Sequence, residues 1–281
     1  MNRVAVVIPA GPRDDVVDTV HSVLHYLTDP AAVVVVDDTR GLRDLSSLPA
    51  LGVEIVPAPG NARGGQGGLF VKLAAGFRHA LDLGGFDLLL RLDADALVIG
   101  PGLEKAAAER FAAAPGVGML GSYRIGPDGG RRDWTPAATS VRAESGPRGL
   151  RHPSLRARMR ELVAAALPHG YEYGEHPLGG AYLLRADVLG ELGARGWLDL
   201  PELARSKAGE DHLFGLLVRA AGYAIGDFGG PDDPLAVRWK GLPASPDELV
   251  HDKMVTHSVR HWADLTETEI RRRFAGHRAG Q

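Results

Sequence analysis

The sequence contains no cysteine. That absence removes a disulfide scaffold, a thiolate zinc site, an iron–sulfur cluster and a cysteine nucleophile. Long apolar runs are missing as well. The first, Val4-Ala5-Val6-Val7-Ile8, is stopped by Pro9 and is too short for a signal-peptide core or a membrane span. The expectation is a soluble cytoplasmic protein without a transmembrane segment. Nor is there an excess of positive charge: 32 Lys and Arg against 35 Asp and Glu leave a net charge of −3. No basic field is available to hold a polyanion, so no nucleic-acid partner is expected. Aromatic residues are sparse, at 6%, which makes the position of each tryptophan informative.

What is present is enough for a large core. The chain has 281 residues, of which 44% are hydrophobic and 24% charged, a balance that rules out wholesale disorder. The first half alternates between two periods. Val4–Ile8, Val33–Val36, Val53–Val56, Phe86–Leu92 and Val117–Leu120 read as short buried strands. Between them Val16, Val17, Val20, Val23, Leu24 and Leu27 share a helical face behind Asp14 and Asp15, acids suited to a helix N-terminus. Leu69, Phe70, Leu73, Phe77, Ala80 and Leu81 share another, and Leu103–Ala114 reads as a third helix. Such alternation predicts an α/β fold with a mostly parallel sheet and helices on both faces.

The second half is less regular. Residues 124–149, rich in Gly, Pro, Arg and Ser around Trp134, read as a long mobile loop. Leu155–Leu167 reads as an arginine-studded helix, Gly179–Leu184 as a strand and Ala186–Leu192 as a short helix. Gly209-Glu210-Asp211 opens a helix carrying Leu213, Phe214, Leu216, Leu217 and Ala220, with Gly222 as its natural stop. The tail after Pro231 holds several His, Arg and Trp residues among short apolar segments. With no repeat and no linker, a single domain over 1–281 is expected.

Ligands of open α/β sheets bind at the carboxyl ends of strands. Two strands here end in acids, Asp37-Asp38 and Asp93-Ala94-Asp95. Asp is also an ordinary turn residue, and Asp37-Asp38 alone is compatible with a turn. Asp93 and Asp95, with one small residue between them at the tip of a buried strand, would repel each other without a cation nearby. Carboxylate oxygens of this kind suit Mg²⁺ or Mn²⁺, which commonly bridge to nucleotide phosphates; the plainer reading is a polar turn made tolerable by Arg91.

From Val4 to Tyr223 the chain resembles a nucleotide-sugar-dependent glycosyltransferase of the GT-A fold, in a pattern similar to family 2. The residues that carry the resemblance are Val7-Ile8-Pro9-Ala10, Ser22-Val23-Leu24, Val36-Asp37-Asp38-Thr39, Leu92-Asp93-Ala94-Asp95, Gly179-Gly180-Ala181-Tyr182 and Gly209-Glu210-Asp211, in this order. Gly11-Pro12 and Thr39-Arg40 depart from the pattern, so the nucleotide base stays unassigned.

The resemblance implies a donor half (1–122), an acceptor-side half (123–230) and an irregular C-terminal segment (231–281) that supplies metal ligand or lid. It implies a nucleoside-diphosphate sugar, UDP-, GDP- or dTDP-linked, an acceptor hydroxyl, Mn²⁺ or Mg²⁺, and transfer with inversion; it leaves room for a homo-oligomer. Pro9, Ala10, Gly11, Asp38, Asp93, Ala94, Asp95 and Gly180 would then contact the donor. Arg63 and Lys72 could reach the diphosphate, or be solvated. Asp95 would ligate the metal, with Asp93 on ribose or metal and either His251 or His257 completing the set. His257 is preferred because Met254-Val255 could form a strand that delivers it inward. Asp211 would be the base that deprotonates the acceptor, supported by Glu210, although both acids also suit a helix start. Arg148, Arg151, Arg156, Arg158 and Arg160 form a basic stretch, usually a solvated face but able to attract an anionic acceptor. Trp134 and Trp239 could stack on sugar rings or simply pack. The rival readings are a sugar-nucleotide nucleotidyltransferase and a non-catalytic nucleotide-sugar-binding protein.

Overall fold

The computed structural model describes residues 2–62 and 65–280. Arg63, one of the two cations expected at the diphosphate, lies outside the described residues.

The chain alternates as its periodicity predicts: β1 (Val4–Ala10), α1 (Val16–Tyr26), β2 (Ala32–Asp37), β3 (Val53–Pro57), α2 (Gln66–Leu83), β4 (Leu88–Leu92), β5 (Ala96–Val98), α3 (Leu103–Ala113) and β6 (Val117–Gly121). Then come α4 (Thr135–Ser145), α5 (Pro153–Ala166), β7 (Ala181–Arg185), α6 (Ala186–Ala194), α7 (Glu210–Ala220) and β8 (Ala224–Asp227). The C-terminal part contributes β9 (Leu235–Val237), α8 (Pro246–Asp252), β10 (Val255–His257), β11 (His261–Trp262), β12 (Leu265–Thr266) and α9 (Glu267–Ala279).

Seven strands form the central sheet in the order β3-β2-β1-β4-β7-β6-β8. All are parallel except β7, which runs antiparallel to both β4 and β6. Side chains of β1 alternate between two cores: Ala5 and Val7 meet Phe70, Leu73 and Phe77 of α2, whereas Val4, Val6 and Ile8 meet Val16, Val20 and Val23 of α1. This is the two-faced burial that makes the strands read as continuous apolar runs. Each fully buried Phe or Leu of these cores contributes about 1.5–3 kcal/mol.

Two expectations need correction. The stretch from 124 to 149 is not a loop throughout, because α4 occupies its second half. Its signal is weak in sequence, with only Ala137, Ala138 and Val141 turned inward as apolar groups; Pro136 in the first turn and the Asp133 carboxylate, which accepts from the Thr135 N–H at 2.8 Å, start it. Gly67 and Gly68 lie in the first turn of α2, where a Cβ on Gly67 would stand 2.2 Å from the Leu203 carbonyl oxygen. The tail is ordered by its own small core of Leu242, Leu249, Val259, Ile270 and Phe274 packed on Leu97 and Ile99.

In the arginine run Arg151 and Arg160 are exposed, while Arg158 is paired to Glu161 at 2.7 Å and Glu202 at 2.6 Å; the Arg148 side chain lies outside the described residues. No helix among the described residues is long and apolar enough to cross a membrane.

Candidate active site

β4 ends at Leu92, and the chain turns at once: the Asp93 N–H donates to the Gly180 carbonyl at 2.7 Å and the Ala96 N–H to the Asp93 carbonyl at 3.0 Å. The turn is braced from behind. The Ala94 carbonyl accepts from Thr19 Oγ1 and from the Arg271 guanidinium, both at 2.7 Å. Arg271 is itself held by Asp18 at 3.0 Å and Glu267 at 2.9 Å, so α1 and α9 together fix the backbone between the two aspartates. Ser22 adds a bond at 3.1 Å from the Val98 N–H. The turn then feeds β5, which pairs antiparallel with β10, His257 opposite Ala96.

That pairing brings His257 to the acids. Its Nε2 lies 3.4 Å from Asp95 Oδ1 and 3.6 Å from Asp93 Oδ2. Its Nδ1 stands 2.7 Å from the Arg238 carbonyl, which can only accept, so Nδ1 carries a proton and a neutral ring presents its Nε2 lone pair to the carboxylates. Burial would lower the His257 pKa, but Asp95 and Asp93 outweigh it and raise it above the usual imidazole value. Burial raises the Asp93 pKa, while for Asp95 the same penalty is outweighed by His257, Ser258 and Arg260, which hold its carboxyl well below the usual range. Ser258 Oγ donates to Asp95 Oδ2 at 2.7 Å, and Arg260 Nε reaches the same oxygen at 3.0 Å.

Two carboxylate oxygens and one imidazole nitrogen within 4.8 Å of one another fit a divalent ion such as Mn²⁺, and the fixed tautomer adds to the fit. His251 lies exposed on α8 and takes no part. Gly180 explains why the ring can enter: a Cβ there would fall 2.5 Å from His257 Nδ1, at a φ of +110° that also favours glycine. Gly180 therefore sits behind the histidine rather than in the cleft wall, where Gly179 is found.

Two clefts meet at these aspartates. The smaller, about 250 Å³, is walled by Pro9, Ala10, Gly11, Asp14, Leu69, Lys72, Asp93, Ala94, Asp95 and Arg260, which brings together most of the residues expected at the donor. Asp38 stands just behind, its carboxylate 2.5 Å from Lys72 Nζ and 3.5 Å from Arg40 Nε. Burial opposes ionisation of Asp38, but these cations win and its pKa is lowered. Lys72 is thus neither free nor fully solvated.

The larger cleft, about 540 Å³, contains Asp211 and His257 and opens past Trp239. Trp239 is 77% exposed; Trp134 stacks on Tyr123 at 5.1 Å between ring centroids and serves packing.

Glu210 and Asp211 start α7 but do different things. Glu210 is 2% exposed and bonded on both sides, to Arg91 at 2.7 Å and to the Tyr182 hydroxyl at 3.1 Å. Arg91, fully buried, also pairs with Asp93 at 2.8 Å, so the arginine suspected of easing the turn joins the two acid motifs. Burial pushes the Glu210 carboxyl up to about 8, against the pull of Arg91. Asp211 accepts from the Gly179 N–H at 2.8 Å and from its neighbour His212 N–H at 2.9 Å. Burial works against its ionised form, yet His176 and His212 win and lower its pKa.

Those two histidines were missed in the sequence, together with Arg132, Ser258, Arg260 and Arg271. His212 follows Asp211 directly and was visible; the others come from distant segments with no local signal. His176 Nδ1 donates to the Gly174 carbonyl at 2.7 Å, and its Nε2 accepts from Arg132 at 2.8 Å. His212 Nδ1 accepts from the Gly209 N–H at 2.9 Å. Burial lowers both histidine pKa values, that of His176 to about 4.

No protein-family model matches the chain, and no curated protein matches its sequence. Among solved structures it is similar to glucosyl-3-phosphoglycerate synthase from Mycobacterium tuberculosis. For the complex with Mn²⁺, UDP and glucosyl-3-phosphoglycerate, the identity is 16%, covering 82% of this chain and 70% of that one, with a TM-score of 0.41. For the complex with UDP alone the identity is 15%, covering 99% and 80%, with a TM-score of 0.42. A likeness this remote leaves the function to be read from the side chains themselves.

Proposed function

We propose that the protein is a metal-dependent glycosyltransferase of GT-A type that moves a sugar from a nucleoside-diphosphate donor to an acceptor hydroxyl with inversion. The observation that carries this reading is the convergence of Asp93, Asp95 and His257 at the mouth of two adjoining clefts, with the His257 tautomer fixed by the Arg238 carbonyl. A donor made from phosphorylated metabolites goes with a cytoplasmic setting.

In this reading Asp95 and His257 hold the ion and Asp93 shares it. The ion would neutralise charge building on the departing diphosphate. Pro9, Ala10, Gly11 and Ala94 shape the nucleotide cleft, while Lys72, and Arg260 once released from Asp95, face the phosphates. Asp38 keeps Lys72 in place and contacts the nucleoside only by sharing that cation.

Asp211 takes the proton of the acceptor hydroxyl. It is ionised, it borders the larger cleft, and two backbone N–H groups orient it. Glu210 is no second base, because Arg91 and the Tyr182 hydroxyl occupy its two oxygens; its part is to hold Arg91 beside Asp93.

The test is a thermal-shift panel of UDP, GDP and dTDP with and without Mn²⁺, followed by turnover of the matching sugar nucleotides. One nucleotide should raise the melting temperature only with the metal. Asp95→Ala should abolish that metal-dependent shift and lower turnover by about 10³-fold or more. Binding without turnover would support the sensor reading, and pyrophosphate release from a nucleoside triphosphate the nucleotidyltransferase. A wild-type protein indifferent to all three nucleotides would overturn the proposal.

A further inference from the structure

The larger cleft has a second electrostatic end, away from the metal ligands. Arg132 enters it from the segment between β6 and α4. Its guanidinium donates to the Ser122 carbonyl at 2.5 Å, the His176 carbonyl at 2.8 Å and His176 Nε2 at 2.8 Å. Every one of these acceptors is neutral. Among the described residues neither Arg132 nor Lys207, exposed on the same wall, makes an ion pair. Burial lowers the Arg132 pKa to about 10, so it stays charged; Asp211 and Asp227 favour that charge from a distance, and neither comes within ion-pair reach of the guanidinium.

Other features point the same way. The first turns of α4 and α7, each 11 residues long, contribute Pro136, Ala137, Glu210, Asp211 and His212 to this cleft, which turns two positive helix ends toward it. Arg91, 1% exposed and also on the wall, has no hydrogen-bond partner for Nε or for one terminal nitrogen. The flanking histidines are neutral and do not compensate. Asp133, next to Arg132 in the sequence and on the same cleft wall, accepts from the Thr135 N–H.

We propose that Arg132 and Lys207 form an anion subsite beside Asp211, so that the acceptor is a small hydroxylated molecule bearing a carboxylate or a phosphate. The planar fork of Arg132 suits two anionic oxygens. His176 touches both Arg132 and, at 3.8 Å, Asp211, so an anion on Arg132 leaves the acceptor hydroxyl one short carbon skeleton away, within reach of the base. This inference rests on the transferase reading for the hydroxyl but not for the anion.

The experiment is calorimetric titration of the full chain, saturated with Mn²⁺ and its best-binding nucleoside diphosphate, with glycerol, glycerate and glycerol 3-phosphate. Saturation keeps the anions out of the nucleotide cleft. The two anions should bind and glycerol should not; the tighter of the two identifies the head group. Arg132→Gln should weaken anion binding at least about 10-fold and Lys207→Gln about 3-fold, consistent with loss of charge-assisted bonds, with nucleotide affinity unchanged. Lys207 is exposed, so its variant reports even if Arg132→Gln fails to fold. Glycerol binding as well as the anions, or anion binding indifferent to Lys207→Gln and to a folded Arg132→Gln, would overturn the subsite. If no nucleotide binds wild type, the transferase reading fails on its own, and the anion titration is run on the protein alone.

Discussion

Two clusters among the described residues hold the same kinds of ligand atom, each set within 4.8 Å, Asp93–Asp95–His257 and His176–Asp211–His212. Only the first fits a cation. The difference lies in what stands behind each ring. His257 donates its Nδ1–H to a carbonyl, so the nitrogen left for an ion, once its proton is displaced, is Nε2, facing two carboxylates. In the second cluster His176 has spent its Nε2 lone pair on Arg132, and His212 its Nδ1 lone pair on Gly209. An arginine at 2.8 Å would also repel an incoming ion. Residue types alone would suggest two metal sites; the surrounding hydrogen bonds leave only the first suited to an ion and keep the second carboxylate ionised.

The contrast can be broken at its strongest point by Asp211→Asn. The change keeps the size and the hydrogen bond from Gly179, and should leave Mn²⁺ and nucleotide binding within about 2-fold while turnover falls by about 10²–10⁴-fold. Unchanged turnover would remove Asp211 as the base. A smaller effect is expected from Gly180→Ala, whose methyl group would displace the His257 ring. Mn²⁺ affinity measured by calorimetry should fall about 10–100-fold, and an unaltered affinity would mean that His257 is not a ligand.

The smallest effect is one of pH. The folded-state pKa of His176 is depressed to about 4, so the unfolded chain takes up its proton first and stability is lost as pH falls below the unfolded value. Relative to a His176→Gln variant, wild type should lose about 2 kcal/mol between pH 7 and pH 5, measured by urea unfolding. His257 should behave oppositely. Its pKa is raised, so the stabilisation it gives the metal-free protein is complete below the unfolded value and fades as pH rises through the folded one, while Mn²⁺ affinity grows because the ion must displace that proton. Parallel pH responses from the two rings would contradict the contrast.

Much of the meeting of Asp93, Asp95 and His257 was legible in the sequence, because buried parallel strands announce themselves as apolar runs and their ends can be searched for acids. Even the short strand carrying His257 had a local cue in Met254-Val255. The rest of the site was not legible to the same degree. Arg132 lies in a stretch whose glycines and prolines suggested a loop, and α4 turns too few large apolar groups inward to show a period. Arg260 and Arg271 act through partners far away in the chain, and ion pairs of that kind leave no spacing to read. Glu210 and Asp211 were identified together, but only their buried partners, Arg91 and Tyr182 for one and His176 and His212 for the other, separate their pKa shifts.

The bracing of the Asp93–Asp95 turn has a mechanical side. Asp95 and Ser258 are bonded although 163 positions apart, and β10 reaches the turn only by zipping onto β5. An ion caught between Asp95 and His257 would therefore act as a removable staple, fastening the C-terminal segment to the rim of the main sheet. Chelation should then be felt beyond the chemistry, as faster amide exchange along β10 and easier proteolysis of the segment that follows it.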